Sequence, residues 1–256
     1  MTKGQSERSE LGPGESRAET KVALKYHFTF PDSRERTFEL ELDRDTAELT
    51  SPSNPSPPAW TELGFHQCTG CPFEKDKVSH CPAALHLSTV IDGFTDLVSY
   101  DKVRVEVETD ERAVVATLSA QQALASLMGL IMASSGCPRT AVFRPMARFH
   151  LPFSSESETA YRVAAMYLVT QHFIAREGGK ADFALEDLGR VYRGVHAVNR
   201  GMASRLRAAT RQDAIVNAIV LLDVYSSLVP AAIHDILAEI KPAFAALLNE
   251  STPPSA

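Results

Sequence analysis

Four cysteines constrain the fold of this chain more than any other residues in its sequence. They are Cys68, Cys71, Cys81 and Cys137, which gives the pattern C-x2-C-x9-C and then a distant fourth cysteine. Two cysteines three positions apart can grip one metal ion from a tight turn, and single cysteines from elsewhere can complete a tetrahedral site. The pattern therefore predicts a metal centre that ties the 64–86 segment to a residue much further along the chain.

Proline follows three of these cysteines directly, as Pro72, Pro82 and Pro138. Proline restricts the residue before it to an extended backbone, which fixes the direction in which the chain leaves the cysteine. If Pro82 begins a helix, the sulfur of the cysteine before it lies at the positive end of the helix dipole, where thiolate is favoured over thiol. Thiolate is the form that binds metal, so the prolines support the metal prediction.

The spacing leaves the identity of the metal open. Four cysteines are a common ligand set for structural zinc, but zinc ribbons contain two C-x2-C pairs and this chain has one. Iron-sulfur clusters also take four cysteines, and the ferredoxin motif ends in Cys-Pro, but its dense spacing is absent. We expect Zn²⁺ or an iron-sulfur cluster, with His66 and His80 as alternative ligands or as neighbours of the ligands.

Two interpretations without a metal remain open for the same cysteines. Cys68 and Cys71 resemble a dithiol redox motif, although the residues before them supply at most a short strand of the required β-α-β unit. Alternatively, all four cysteines pack as small hydrophobic side chains in the core. The charged run at 74–77 argues against a wholly buried loop.

Composition places the chain among ordinary globular proteins. Its 256 residues are 44% hydrophobic and 23% charged, with a formal net charge of -6, which argues against a general nucleic-acid-binding surface. Residues 1–20 have mixed charge and no apolar signal-peptide core, so they predict a disordered tail and a cytoplasmic protein with reduced thiols. The most apolar run, 214–229, is shorter than the roughly 20 residues of a membrane span.

Hydrophobic periodicity predicts two β-hairpins in the first 150 residues. The 21–50 region contains alternating runs at 22–30 and 36–43, and a second hairpin covers 102–118. A Pro/Ser linker at 51–58 separates the first hairpin from a Cys-rich α+β metal-binding region at 59–150. Within that region we expect a helix from Pro82 and another after Ser119, where Gln122 completes a capping box.

The remaining chain, 151–250, is predicted to form a four-helix unit. A capping box of Ser155 and Glu158 begins the first helix, and apolar helical patterns follow at 185–209, 214–229 and 230–248. Pro230 is suited to begin the last of these helices. The predicted fold class is therefore α+β and predominantly α-helical, with two β-hairpins, a Cys-rich metal-binding segment and a C-terminal four-helix unit.

Two groups of arginines are candidate contacts for an anion or a partner. The first lies in a proline-rich segment and comprises Arg139, Arg144 and Arg148; the second comprises Arg193, Arg200, Arg207 and Arg211. At about 100 degrees per residue, the second group forms one stripe on a helix. Such a stripe is a solvated face, a surface that pairs with carboxylates of this chain or a protein partner, or, least favoured, a nucleic-acid contact.

The chain has no P-loop, dinucleotide fingerprint, nucleophile elbow or zinc-protease motif. The sequence therefore favours a cytoplasmic binding or regulatory module with protein partners, in which a four-cysteine metal centre is mainly structural. The alternative is an iron-sulfur or dithiol redox enzyme, or an electron carrier, that uses the same cysteines. No membrane contact is expected, and a nucleic-acid partner is disfavoured.

Overall fold

A computed structural model describes residues 20–50, 56–94 and 97–250. Residues 1–19 of the predicted tail and residues 51–55 of the predicted linker lie outside these ranges. The described chain is a mixed α+β structure, a little over half of it helical. Its strands are β1 (Lys21–Thr29), β2 (Glu35–Asp43), β3 (Lys102–Thr109) and β4 (Ala113–Ser119), and its helices are α1 (Pro82–Ile91), α2 (Ala120–Ser134), α3 (Arg144–Arg148), α4 (Glu156–Arg176), α5 (Leu188–Ala209), α6 (Asp213–Ile240) and α7 (Ala245–Glu250).

The two predicted hairpins form one antiparallel sheet in the order β2-β1-β3-β4. Strands β1 and β3 pair so that Tyr26 lies opposite Val107 and Phe28 opposite Val105. Side chains alternate across a strand, so this register places both pairs on the same face of the sheet. That face is buried, because Tyr26, Phe28, Val105 and Val107 are all at most 1% exposed.

Helices α1 and α2 cover this face of the sheet and complete the larger hydrophobic core. The predicted capping box of Ser119 and Gln122 begins α2, and 11 of the helix's 15 residues are buried. Pro82 is the first residue of α1, as the sequence predicted. The N-terminal part of α6 and the C-terminal part of α5 pack on the same core, through residues such as Met202 and Ile219.

The predicted pair of helices at 214–229 and 230–248 is wrong, because one helix, α6, runs through Pro230. Proline lacks the N–H that would bond to the carbonyl four residues earlier and disturbs the preceding turn. Next to this turn, the hydroxyls of Ser226 and Ser227 donate to the carbonyl oxygen of Asp223 at 2.7 and 3.3 Å. The carbonyl that Pro230 leaves without an N–H donor is that of Ser226, so these serine bonds lie beside the disturbed turn and do not replace the missing bond.

A second, smaller core joins α4, the beginning of α5 and the end of α6. Within the described ranges, one helical stretch, Asp213–Asn249, is long and apolar enough by length and composition to cross a membrane. A third of its most apolar window, 33%, is buried inside the protein. Length and composition alone are weak evidence for a membrane span, since core helices of soluble proteins pass the same test.

Candidate functional site

All four cysteines lie in or against the larger hydrophobic core, including the three that are followed by proline. Cys81 caps the N-terminus of α1, and Cys137 begins the turn after α2; each is 8% exposed and belongs to the larger core. Cys71 donates its backbone N–H to the carbonyl of Cys68 at 3.0 Å, so the C-x2-C pair forms a tight turn. The Cys68 thiol points towards α5 and donates to the carbonyl of Val198 at 3.9 Å.

The metal prediction is wrong. In the part of the chain that the structure describes, no group of three or more His, Cys, Asp or Glu side chains is arranged so that it could hold a metal ion. The structure therefore contradicts a metal centre of Cys68, Cys71, Cys81 and Cys137. It gives no support for a zinc or iron-sulfur cofactor or for a redox function that uses these residues. All four cysteines are free thiols.

The physical reason is that burial outweighs the features that were expected to produce thiolates. Burial raises the pKa of Cys68 to about 11, and the nearby thiols of Cys81, Cys137 and Cys71 raise it further. The pKa of Cys81 is also raised by burial, although backbone N–H groups at the start of α1 act in the opposite direction. These two cysteines therefore remain protonated at neutral pH and pack as small apolar side chains.

The two histidines near the cysteines have separate surroundings. His80 places Nδ1 2.9 Å from the hydroxyl of Thr61, which fixes a turn next to Cys81. His66 is exposed and has a positive φ of 44°, a conformation that is uncommon for residues other than glycine. Neither histidine belongs to a cluster that could bind a metal.

Arg205 has the most important structural role that the sequence interpretation missed. Its guanidinium is 1% exposed and donates to three backbone carbonyls, those of Trp60 and Glu62 at 2.8 and 2.6 Å and that of Leu63 at 2.8 Å. We call this arrangement the Arg205 clamp. A signal was present in the sequence, because Arg205 lies off the arginine stripe and next to the apolar positions of the same helix.

The three arginines of the proline-rich segment do not form an anion pocket, because each contacts a different part of the chain. Arg139 donates to the carbonyls of Thr69 and Gly70. Arg144 forms an ion pair with Glu48, and Arg148 donates to the carbonyl of Arg44 at 3.2 Å. These arginines therefore attach the 137–150 segment to neighbouring loops.

Two of the four stripe arginines line a concave surface, which we call the arginine groove. Its volume is about 420 Å³, and its walls are the loop at 66–69 and one face of α5. Arg193 and Arg200 lie on the helix wall, and Arg207 is exposed further along α5. The predicted stripe does not reach Arg211, because α5 ends at Ala209 and Arg211 is exposed in the connection to α6. None of the four forms an ion pair with a carboxylate in the described ranges.

A larger apolar cavity of about 480 Å³ lies on another side of α5, between α2, the 140–154 segment, α4 and α6. Most of its walls are hydrophobic. These residues include Leu130, Met132, Phe143, Met146, Leu151, Phe153, Val163, Val195, Leu221, Leu222 and Val229. Its volume is within the range of roughly 300–1,000 Å³ typical of small-molecule sites.

Ser126 and His150 form one polar end of this cavity, and both contact Tyr26, which is fully buried and is not part of the lining. The Tyr26 hydroxyl lies 3.0 Å from the hydroxyl of Ser126 and also contacts Nε2 of His150. Burial raises the pKa of Tyr26 above its usual range. Burial, and then the nearby charge of Arg162, lowers the pKa of His150 to about 3. These three side chains are therefore uncharged at neutral pH.

Arg162 is the one cation that the described walls contribute, and the protein uses it internally. Its Nη2 donates to the carbonyls of Met146 and Phe149 at 2.9 and 3.0 Å. Its Nη1 donates to the hydroxyl of Ser154 at 3.3 Å and to the carbonyl of Leu151 at 3.5 Å. Arg162 therefore attaches the 146–154 segment to α4 and has little hydrogen-bonding capacity left for a ligand.

Two polar atoms on α5 have no such partner. The Tyr192 hydroxyl has no hydrogen-bond partner among the described residues, although the residue is only 5% exposed and burial alone raises its pKa. Asn199 donates its Nδ2 to the carbonyl of Leu222 at 3.1 Å, which leaves Oδ1 without a described donor. Tyr192 and Asn199 are seven positions apart, about two helical turns, so both lie on the same side of the cavity.

Comparison with known proteins identifies a family but no activity. A family model described as Domain of unknown function (DUF6901) matches residues 24–245. No similar curated protein and no similar solved structure was found. Apart from the first three residues of β1, the match spans the sheet, both hydrophobic cores, the arginine groove and the apolar cavity. The chain therefore belongs to the DUF6901 family.

Proposed function

We propose that this protein binds a small, largely apolar and uncharged molecule in the cavity between α2, α4, α5 and α6. The observation that carries this proposal is the cavity of about 480 Å³ with mainly hydrophobic walls and a few polar atoms. Sites for small organic ligands combine these properties. Removing the apolar body of such a ligand from water supplies the main driving force for binding.

The charges around the cavity favour a neutral ligand. Its described lining residues include no Asp or Glu, and the cation of Arg162 already donates to three carbonyls and a hydroxyl. A cationic ligand would be repelled by Arg162 and would find no counter-ion in the cavity. A carboxylate ligand would have to compete with backbone carbonyls for the guanidinium hydrogens, because the latter are already engaged.

The free polar atoms on α5 favour a ligand that carries a hydroxyl or a similar group. Tyr192 is 5% exposed and lines the cavity. Its hydroxyl has no hydrogen-bond partner in the described protein but is not fully enclosed, so a ligand in the cavity can bond to it. Oδ1 of Asn199 accepts hydrogen bonds, so a ligand that both donates and accepts satisfies the pair. An uncharged alcohol with an apolar body has this chemistry.

A fluorescence titration with Nile red, an uncharged apolar dye, tests the proposal. We expect saturable binding to the native protein and displacement of the dye by 1-octanol. Octanoate and octylammonium have the same chain length but carry a charge, so they should displace the dye at least ten-fold less effectively. If either charged compound competes as well as the alcohol, a neutral ligand is the wrong class.

A matched pair of substitutions locates the bound dye. Val195→Phe adds an aromatic ring to a cavity wall and should reduce dye affinity at least ten-fold, because the ring occupies ligand volume. Val115→Phe makes the same change at a residue of β4 that is 48% exposed and lies outside the cavity. Equal dye affinity in both variants, with both folded by circular dichroism, would contradict binding in this cavity.

A further inference from the structure

We propose a second, independent site: the arginine groove binds a small molecule that carries two or more linked phosphate groups. The groove is formed by the loop at 66–69 and by α5, and it does not share a lining residue with the apolar cavity. Its volume of about 420 Å³ suits a small molecule.

The spacing along α5 places both arginines at the same groove. Arg193 and Arg200 are seven positions apart, which corresponds to about 20 degrees of rotation and about 10.5 Å of rise on an α-helix. Their guanidinium groups therefore extend from the same face, two turns apart. An anion with several charged groups in a row can contact both guanidinium groups, whereas a compact monoanion can contact only one of them.

Small residues between the arginines let the loop approach the helix closely. Ala197 and Gly201 line the floor of the groove. A Cβ added at Gly201 would lie 2.6 Å from the sulfur of Cys68 and 3.1 Å from its Cα, so only glycine permits this approach. Shortly before the loop at 66–69, the Arg205 clamp attaches the backbone at 60–63 to α5. The two walls are therefore held in place without a ligand, which reduces the entropy lost on binding.

The charges at the groove favour an anion. No Asp or Glu belongs to its described lining, and neither Arg193 nor Arg200 has an ion pair with a described carboxylate. Arg190, one turn before Arg193 on the same helix, does have one, with Asp187 at 2.9 Å. Arg193 and Arg200 are therefore available to a ligand, as are Arg207 and Arg211 outside the groove, which are also unpaired in the described chain. Of these four arginines, only the two inside the groove face a concave surface.

Two histidines add hydrogen-bonding groups to the groove. His196 places Nδ1 2.7 Å from Oδ1 of Asp223. The hydroxyl of Ser227 lies 3.3 Å from the same ring nitrogen, so two residues of α6 hold the imidazole in place. His66 lies on the opposite wall and keeps an uncommon positive φ of 44°, the kind of backbone conformation that is concentrated at binding sites.

Calorimetric titration of the full chain with inorganic tripolyphosphate tests the site. We expect one binding event whose affinity falls as salt is raised, because the arginines are exposed and their field is screened. Replacing both Arg193 and Arg200 with alanine should weaken binding at least ten-fold. The matched control replaces Arg207, near the end of the same helix, and Arg211, in the connection after it. Both are exposed arginines outside the groove, so their loss should change affinity less than two-fold.

Two outcomes would overturn the proposal. One is the absence of tripolyphosphate binding to the native chain at low salt. The other is an equal loss of affinity in the two double variants, which would show general attraction by exposed arginines. Comparable binding of tripolyphosphate and ATP would indicate that the phosphates alone are recognised, whereas tighter ATP binding would indicate a nucleotide. Val195→Phe should leave tripolyphosphate binding unchanged, so the failure of either site is distinguishable from failure of the other.

Discussion

Helix α5 separates two concave surfaces, and the polar groups on its two sides differ in how many of their bonds are made within the protein. Towards the apolar cavity, most polar side chains are already bonded within the protein, and the Tyr192 hydroxyl and Asn199 Oδ1 are the exceptions on this helix. Towards the arginine groove, two guanidinium groups have no carboxylate partner in the described chain. The cavity can therefore select by shape and a few hydrogen bonds, whereas the groove selects by charge.

Arg205→Met should have the largest effect, because it removes the Arg205 clamp on the groove side of α5. Three backbone carbonyls lose a charged donor at once, and Trp60, Glu62 and Leu63 lose their attachment to the helix. We expect a loss of about 3–5 kcal/mol in the free energy of unfolding, measured with urea. Arg207→Ala, an exposed change on the same helix, should cost no more than about 0.5 kcal/mol. Equal small losses would mean that the clamp does not hold the loop.

Gly201→Ala should destabilise the protein by about 1–3 kcal/mol, because the added methyl group meets Cys68 at 2.6 Å and the loop must move away. Gly194→Ala is the matched control in the same helix, where an added Cβ meets nothing within 4 Å. Since alanine is the better helix former, Gly194→Ala should gain about 0.5–1 kcal/mol. Thermal and urea unfolding should both show a lower stability for Gly201→Ala and a higher stability for Gly194→Ala. A gain of stability in both variants would contradict the close contact between the loop and the helix.

A pair of tyrosine substitutions separates bonded from unbonded hydroxyls at the cavity. Tyr26→Phe leaves Ser126 and His150 without their shared partner and should cost about 1–2 kcal/mol. Tyr192→Phe removes a hydroxyl that has no described partner, so the free energy of unfolding should change by less than about 0.5 kcal/mol. Affinity for 1-octanol should nevertheless fall in Tyr192→Phe. A large stability loss in this variant would indicate that the hydroxyl is bonded within the protein.

Mild acid should lower the free energy of unfolding through His150, which lines the apolar cavity. Its pKa is about 3 in the folded protein and near 6.5 when unfolded, so the unfolded state binds the proton first. The stability contribution is complete above pH 6.5 and is lost as pH falls towards 3, by about 1 kcal/mol between pH 6.5 and 5.5. His150→Gln should flatten this part of a pH series of unfolding curves. Since most carboxylates titrate below this window, an unchanged slope would contradict the role of His150.

Local sequence signals predicted much of the fold. The strands of both hairpins, the start of α1 at Pro82 and the capping boxes at Ser119 and Ser155 all appear in the structure. These features depend on alternation, backbone restriction and side-chain bonds over a few residues. The pairing of β1 with β3 depends on tertiary packing, so periodicity within each hairpin could not reveal it.

The candidate sites were less predictable, because they depend on burial. The Cys-Pro pattern suggested metal ligands, but burial in the assembled core raises the pKa of Cys68 and Cys81 and leaves them as packing residues. The arginine stripe was visible from its spacing, yet the loop that turns part of it into a groove comes from a distant segment. The apolar cavity could not be recognised in the sequence, because its walls come from six parts of the chain and resemble ordinary core residues.

The Arg205 clamp also has a consequence for the order of folding. Its bonds join residues separated by 142 to 145 positions along the chain. Contacts over such separations form slowly, because a long loop must close before they are made. We therefore expect the amide of Cys81, which donates to the carbonyl of Thr61, to gain protection from hydrogen exchange after the amides of α5 during refolding. In a growing chain, residues 60–63 would remain undocked until α5 is complete.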